Sequence, residues 1–76
     1  MTYRTDERAG LKHQATKEAI DLAMESQWQE AVEVNRQIIE RFPNDVDAYN
    51  RLGRALTELG QFAEAKEAYQ HALKLN

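Results

Sequence analysis

The sequence repeats itself once, with an offset of 34 residues and no gap between the two copies. Positions 34 apart hold the same residue type at several places: Leu22 and Leu56, Gln27 and Gln61, Glu30 and Glu64, Ala31 and Ala65, and Glu33 and Glu67. A repeat of this length is one structural unit that buries its apolar face only by stacking on a neighbour. We therefore place a first repeat at residues 12–45 and a second at residues 46–76, after a lead-in at residues 1–11.

Apolar residues recur at helical spacing in four segments, two in each repeat. Pro43 is predicted to end the second helix because proline cannot continue a helix, and Asn44 is the predicted N-cap of the third helix. Gly60 is predicted to end that helix, since glycine adopts the left-handed conformation at little cost. Alternating polar and apolar residues are lacking, so we predict an all-α fold. The stripes are Ala15–Ala19–Leu22–Ala23, Trp28–Ala31–Val32–Ile38–Ile39–Phe42, Tyr49–Leu52–Leu56–Leu59 and Phe62–Ala65–Ala68–Tyr69–Ala72–Leu73.

The lead-in differs from the repeats. Its first four residues have no apolar stripe, and Thr5 is the predicted cap of a helix that begins there. Gly10 weakens such a helix by about 1 kcal/mol relative to alanine. Two interpretations stay open: a frayed start that extends an unusually long first helix, or a disordered tail.

Composition argues against several classes of function. The chain has no cysteine, which excludes disulfides, thiolate metal sites and cysteine nucleophiles. Its 10 Lys and Arg against 13 Asp and Glu give a net charge of -3, which argues against nucleic-acid binding. The longest apolar run is three residues, so we expect no membrane span, no signal peptide and a cytoplasmic location.

Catalytic and metal-binding patterns are weak. His13 and His71 lie far apart in the sequence, and no glycine-rich phosphate loop or zinc-binding spacing is present. Glu67 and His71 share one helix face, but two ligands are too few for a metal site. We therefore expect neither enzymatic activity nor a cofactor or bound metal.

The period and the residue types resemble the tetratricopeptide repeat family. The second repeat carries the family pattern at Tyr49, Leu52, Gly53, Leu56, Phe62, Ala65, Tyr69 and Ala72; the first carries it at Ala19, Leu22, Trp28, Ala31 and Pro43 and departs from it at Ala15, Glu18, Asn35 and Ile38. The resemblance implies two antiparallel helix-turn-helix repeats stacked as a short right-handed α-α superhelix. Small residues are expected to face each other, Ala19 against Ala31 and Gly53 against Ala65. Trp28 and Phe62 are expected to fill the turns, and Phe42 and Pro43 to join the repeats.

The resemblance also implies a protein-protein interaction module that binds a peptide in a concave groove lined by the first helix of each repeat. Lys17, Arg51 and Arg54 are expected to attract an acidic peptide or a C-terminal carboxylate, unless they form only a solvated face. Asn50 would bind the peptide backbone, and Ile20 and Met24 would add an apolar pocket. The full set of groove candidates is His13, Thr16, Lys17, Ile20, Ala23, Met24, Asp47, Asn50, Arg51, Arg54, Thr57 and Glu58.

The last helix suggests an alternative function, self-association into a homodimeric scaffold. Its candidate residues, which no following helix of this sequence covers completely, are Tyr69, Ala72, Leu73 and Leu75. Uncovered apolar surface of this kind favours association. Two explanations stay open: the chain was trimmed from a longer array, or a second copy covers this helix.

Overall fold

A computed structural model of the chain has four α-helices in sequence order: α1 (Tyr3–Met24), α2 (Trp28–Arg41), α3 (Val46–Glu58) and α4 (Phe62–Leu75). The structure describes residues 3–76, with side chains from residue 8 onward, and contains no strand within that range. Each helix packs against the next one along the chain, and α1 also touches α3. The all-α repeat fold predicted from the sequence is therefore confirmed.

The first helix is the longest, with 22 residues. It begins ahead of Thr5, so the predicted cap there is wrong, and residues 3–11 are helical rather than a disordered tail. Met1 and Thr2 lie outside the described residues. Contacts with the end of α2 hold this part of α1: Arg8 donates a hydrogen bond to the Arg41 carbonyl at 3.2 Å, and its guanidinium lies 5.1 Å from the centre of the Phe42 ring.

The turns inside the two repeats have the same hydrogen bonds, 34 residues apart. The Gln27 N–H donates to the Leu22 carbonyl, and the Gln61 N–H donates to the Leu56 carbonyl, both at 2.8 Å. The residue before each glutamine has a positive φ, 57° at Ser26 and 79° at Gly60. This is the Schellman arrangement that closes a helix C-terminus, and it confirms the predicted turn at Gly60.

The start of α3 is one residue later than predicted. Asp45, not Asn44, is the N-cap, and its carboxylate accepts a hydrogen bond from the Ala48 N–H at 3.1 Å. The Asp45 N–H donates to the Phe42 carbonyl at 3.0 Å, so Asn44 lies inside the preceding turn. Lys12 approaches the same carboxylate at 3.7 Å, which connects α1 to the start of α3.

Two groups of buried residues form the core. The first lies among α2, α3 and α4, and the second among α1, α2 and α3. Ala19 packs with Ile38 and Ala48 in the second group, whereas Ala31 belongs to the first. The predicted Ala19–Ala31 contact is therefore wrong, because the small residue of α1 faces the junction with α3 instead.

The second repeat also packs differently from expectation. A Cβ atom on Gly53 would lie 2.7 Å from the Tyr69 ring, so the glycine makes room for this ring. Phe62 is 67% exposed and does not fill the turn. Its counterpart Trp28 is partly buried against the core, as expected.

Candidate interaction surfaces

The predicted peptide groove corresponds to the face that α1 and α3 share. The two helices meet at Ala19 and Ala48, both fully buried, so residues beside these positions on each helix turn toward one side. Thr16 and Ala23 are half-buried next to the junction. Most of the other groove candidates are exposed: His13, Ile20, Met24, Asp47, Asn50, Arg54, Thr57 and Glu58.

Arg54 is the groove cation whose charge is available. Its guanidinium lies 5.5 Å from the centre of the Trp28 ring, and among residues 8–76 it forms no ion pair. A guanidinium that stacks on an aromatic face keeps its N–H groups directed outward in its plane. Arg54 is therefore oriented by Trp28 while its donors stay open to a ligand.

Arg51 points into the protein instead. Its Nε donates a hydrogen bond to Asn35 Oδ1 at 2.9 Å, and Asn35 Nδ2 donates to the Ala31 carbonyl at 2.8 Å. Asn35 is only 1% exposed, and the Arg51 Nη2 atom is buried without a partner among the described atoms. The signal for this network in the sequence is a polar residue, Asn35, at a position where the family pattern is apolar.

Lys17 lies at the edge of a different surface. It forms an ion pair with Asp21 at 3.1 Å and lines a groove of about 1060 Å³ between α1 and α2. We call this the α1–α2 groove. Its apolar floor consists of Leu11, Ala15, Leu22, Val34, Ile38 and Phe42. Its predominantly acidic rim carries Glu18, Asp21, Glu25 and Glu40 against the two cations Lys17 and Arg41.

The outer surface of α4 carries a row of exposed apolar residues. Phe62, Tyr69 and Leu73 are 67%, 39% and 75% exposed, and Lys66 lies among them on the same side of the helix. We call these four residues the α4 stripe. Leu75 is 40% exposed and lies outside the stripe, whereas Ala72 is buried against the core at 4%. The sequence prediction for this surface missed Phe62, although its spacing of seven residues from Tyr69 is the helical signal.

The two histidines lie on different helices, His13 on α1 and His71 on α4. The His71 ring stacks on Tyr49 with 5.2 Å between centroids, and His13 is exposed on α1. Within the described part of the chain, no three Asp, Glu or His side chains come together in a metal-binding arrangement. Nor is any helix of residues 3–76 long and apolar enough to cross a membrane.

The paired helices with matching turns define a helical-repeat protein. The family model described as tetratricopeptide repeat matches residues 46–76. The second helix pair is therefore similar to a tetratricopeptide repeat, and the four-helix fold fits a repeat of that kind. No curated protein and no solved structure gave a significant match to the chain. Repeats of this family generally serve as protein-interaction modules and not as enzymes.

Proposed function

We propose that the chain is an interaction module that binds an acidic peptide segment on the face shared by α1 and α3. The observation that carries the proposal is the exposed Arg54 guanidinium, held by Trp28 and free of ion pairs among the described side chains. A carboxylate accepts two parallel hydrogen bonds from such a group. Exposed apolar residues on the same face of α1, Ile20 and Met24, supply the apolar contact that a charged anchor needs beside it.

Other residues of this face have narrower roles in the proposal. Asn50 is exposed and able to donate to and accept from a peptide backbone. The Thr57 hydroxyl donates to the Gly53 carbonyl at 2.8 Å, so it offers a ligand an acceptor only. Arg51 is engaged with Asn35 and supports the site from below. His13, Thr16 and Glu58 remain candidates at the edges of the face, and a cytoplasmic location remains a prediction.

The test uses short synthetic peptides in matched acidic, neutral and basic versions, with binding measured by fluorescence anisotropy. We expect only acidic peptides to bind, with modest affinity because the face is small. Arg54→Glu should abolish binding. Lys74→Glu changes the net charge equally at an exposed position on α4 and should leave binding unchanged. Equal losses in both variants would mean that only net charge attracts the peptides, and the proposal would be wrong.

A second proposed function is self-association through α4. The row of exposed Phe62, Tyr69 and Leu73 is the observation in its favour, because apolar side chains that form a contiguous exposed patch favour association. In this proposal the protein is a homo-oligomeric scaffold. Its melting temperature should rise with protein concentration, because association stabilises the folded state by mass action. A melting temperature that stays constant over a broad concentration series would contradict it.

A further inference from the structure

The contact between α2 and the second repeat provides a template for contact between copies. Helix α2 packs on α3, and its Ala31 and Val32 share one core group with Leu52 of α3 and Ala65 of α4. Adding 34 to the residue numbers of α2 gives positions in α4. Subtracting 34 from the residue numbers of α3 and α4 gives positions in α1 and α2. The same arrangement between two copies therefore places α4 of one copy against α1 of the next, on the side of α1 that lines the α1–α2 groove.

The charges that this arrangement brings together between copies are complementary. Within the chain, buried Val32 belongs to the same core group as Leu52 and Ala55. The residues 34 positions away are Lys66 on the α4 stripe, and Glu18 and Asp21 on the acidic rim of the α1–α2 groove. Positions that share an apolar core group inside the chain thus correspond to a lysine beside Glu18 and Asp21 between copies. Asp21 is already paired with Lys17 at 3.1 Å, so Glu18 is the carboxylate without an ion pair among the described side chains.

The apolar residues match in the same register. Ile39 is partly buried and packs against both core groups, and its counterpart on α4 is Leu73. Trp28 packs against the core, and its counterpart is Phe62. Phe62 and Leu73, the two most exposed apolar residues of the α4 stripe, therefore correspond to Trp28 and Ile39, which are partly buried within the chain. The apolar floor of the α1–α2 groove provides the complementary surface.

We propose that the α4 stripe of one copy docks in the α1–α2 groove of a second copy, so that copies assemble head to tail. This inference rests on the proposed self-association and specifies its two surfaces. Because the two surfaces differ, each added copy presents a free groove at one end and a free stripe at the other. The assembly is therefore open-ended, unlike a closed dimer in which α4 pairs with α4.

Two variants block one surface each. Leu73→Asp places a carboxylate on the stripe, and the double substitution Glu18→Lys with Asp21→Lys reverses the groove rim. All three positions are exposed, so the fold is retained, which circular dichroism checks. Ala63→Asp adds the same charge to α4 at an exposed position outside the stripe and serves as the control.

The readout is solution mass by light scattering across a concentration series. The wild type and Ala63→Asp should grow beyond a dimer, and each blocked variant should stay monomeric at 8.8 kDa. An equimolar mixture of the two blocked variants should form a complex of twice that mass and no larger, since it retains one intact stripe and one intact groove. Lys66→Glu should weaken association about tenfold, and adding the groove reversal to that variant should restore it.

The possible results distinguish failure of the proposed self-association from failure of the head-to-tail arrangement. If the groove variant still dimerises by itself, self-association stands but the head-to-tail arrangement is wrong, because a closed α4–α4 dimer does not need the groove. If the wild type stays monomeric at every concentration, both proposals fail. If the mixture of blocked variants stays monomeric while the wild type assembles, the two surfaces are not partners and the inference is overturned.

Discussion

The contact between Gly53 and the Tyr69 ring predicts how Gly53→Ala changes the free energy of unfolding. The sign of that change depends on whether the Tyr69 ring is present. Alanine in place of glycine in a helix interior normally stabilises a protein by about 0.5–1 kcal/mol. Here the added Cβ would lie 2.7–2.9 Å from three ring atoms, and the ring must retreat by about 0.7 Å to reach an ordinary contact at 3.4 Å.

Tyr69 is 39% exposed, so its ring has room to yield, and the overpacking cost should fall at about 1–2 kcal/mol. The intrinsic helix gain offsets part of that cost. Gly53→Ala should therefore lower the free energy of unfolding by about 0.5–1 kcal/mol in the wild type. In a Tyr69→Ala background the obstacle is gone, and the same substitution should raise the free energy of unfolding by about 0.5–1 kcal/mol.

Urea titrations of the four proteins, followed by circular dichroism at low protein concentration, complete this double-mutant cycle. We expect a coupling energy of about 1–2 kcal/mol between the two positions, because Gly53→Ala should have opposite effects on the free energy of unfolding in the wild type and in the Tyr69→Ala background. A stabilising osmolyte in all four samples keeps Tyr69→Ala folded enough for the comparison. If Gly53→Ala stabilises both backgrounds equally, the ring does not occupy this space and the reasoning is refuted.

Three further predictions test the interior of the fold by urea denaturation. Asn35→Leu should destabilise the protein by about 1–3 kcal/mol because it leaves the partly buried Arg51 Nε unpaired; adding Arg51→Met should recover most of the loss, and no recovery would contradict the network. Asp45→Ala should cost about 1 kcal/mol through the lost N-cap of α3, whereas Asp45→Asn should cost much less; equal losses would assign the effect to the ion pair with Lys12. Ser26→Gly should stabilise and Gly60→Ser destabilise by about 1 kcal/mol, since both residues have a positive φ; effects of the same sign would refute this account of the turns.

The helices and their order were predictable from the sequence because the 34-residue offset and the apolar spacing recur along the whole length of each helix. The turn at Gly60 was predictable for a local reason, since a glycine at a helix end signals a positive φ. Asn44 and Asp45 are both good N-caps, and the choice between them depends on the hydrogen bonds of the preceding turn. Cap positions therefore require the geometry of the loop.

The site was less predictable than the fold because side-chain direction depends on neighbouring helices. Arg51 and Arg54 are three residues apart on α3, yet one hydrogen-bonds to buried Asn35 and the other stacks on Trp28. Lys17 turns to Asp21 at the edge of the α1–α2 groove. Residue type and spacing predict which face carries positive charge. They do not predict which of its cationic side chains is already bound to a neighbouring residue.

The proposed peptide site is tested most directly by an amide NMR titration of the labelled chain with an acidic peptide that binds. The largest shifts should fall on exposed residues of the face shared by α1 and α3, including Ile20, Asn50 and Arg54, and the α4 stripe should not respond. Arg54→Glu should remove these shifts, and Lys74→Glu should retain them. Shifts centred on the α4 stripe or on the α1–α2 groove would contradict the account, because the peptide would then occupy a surface assigned to a second copy.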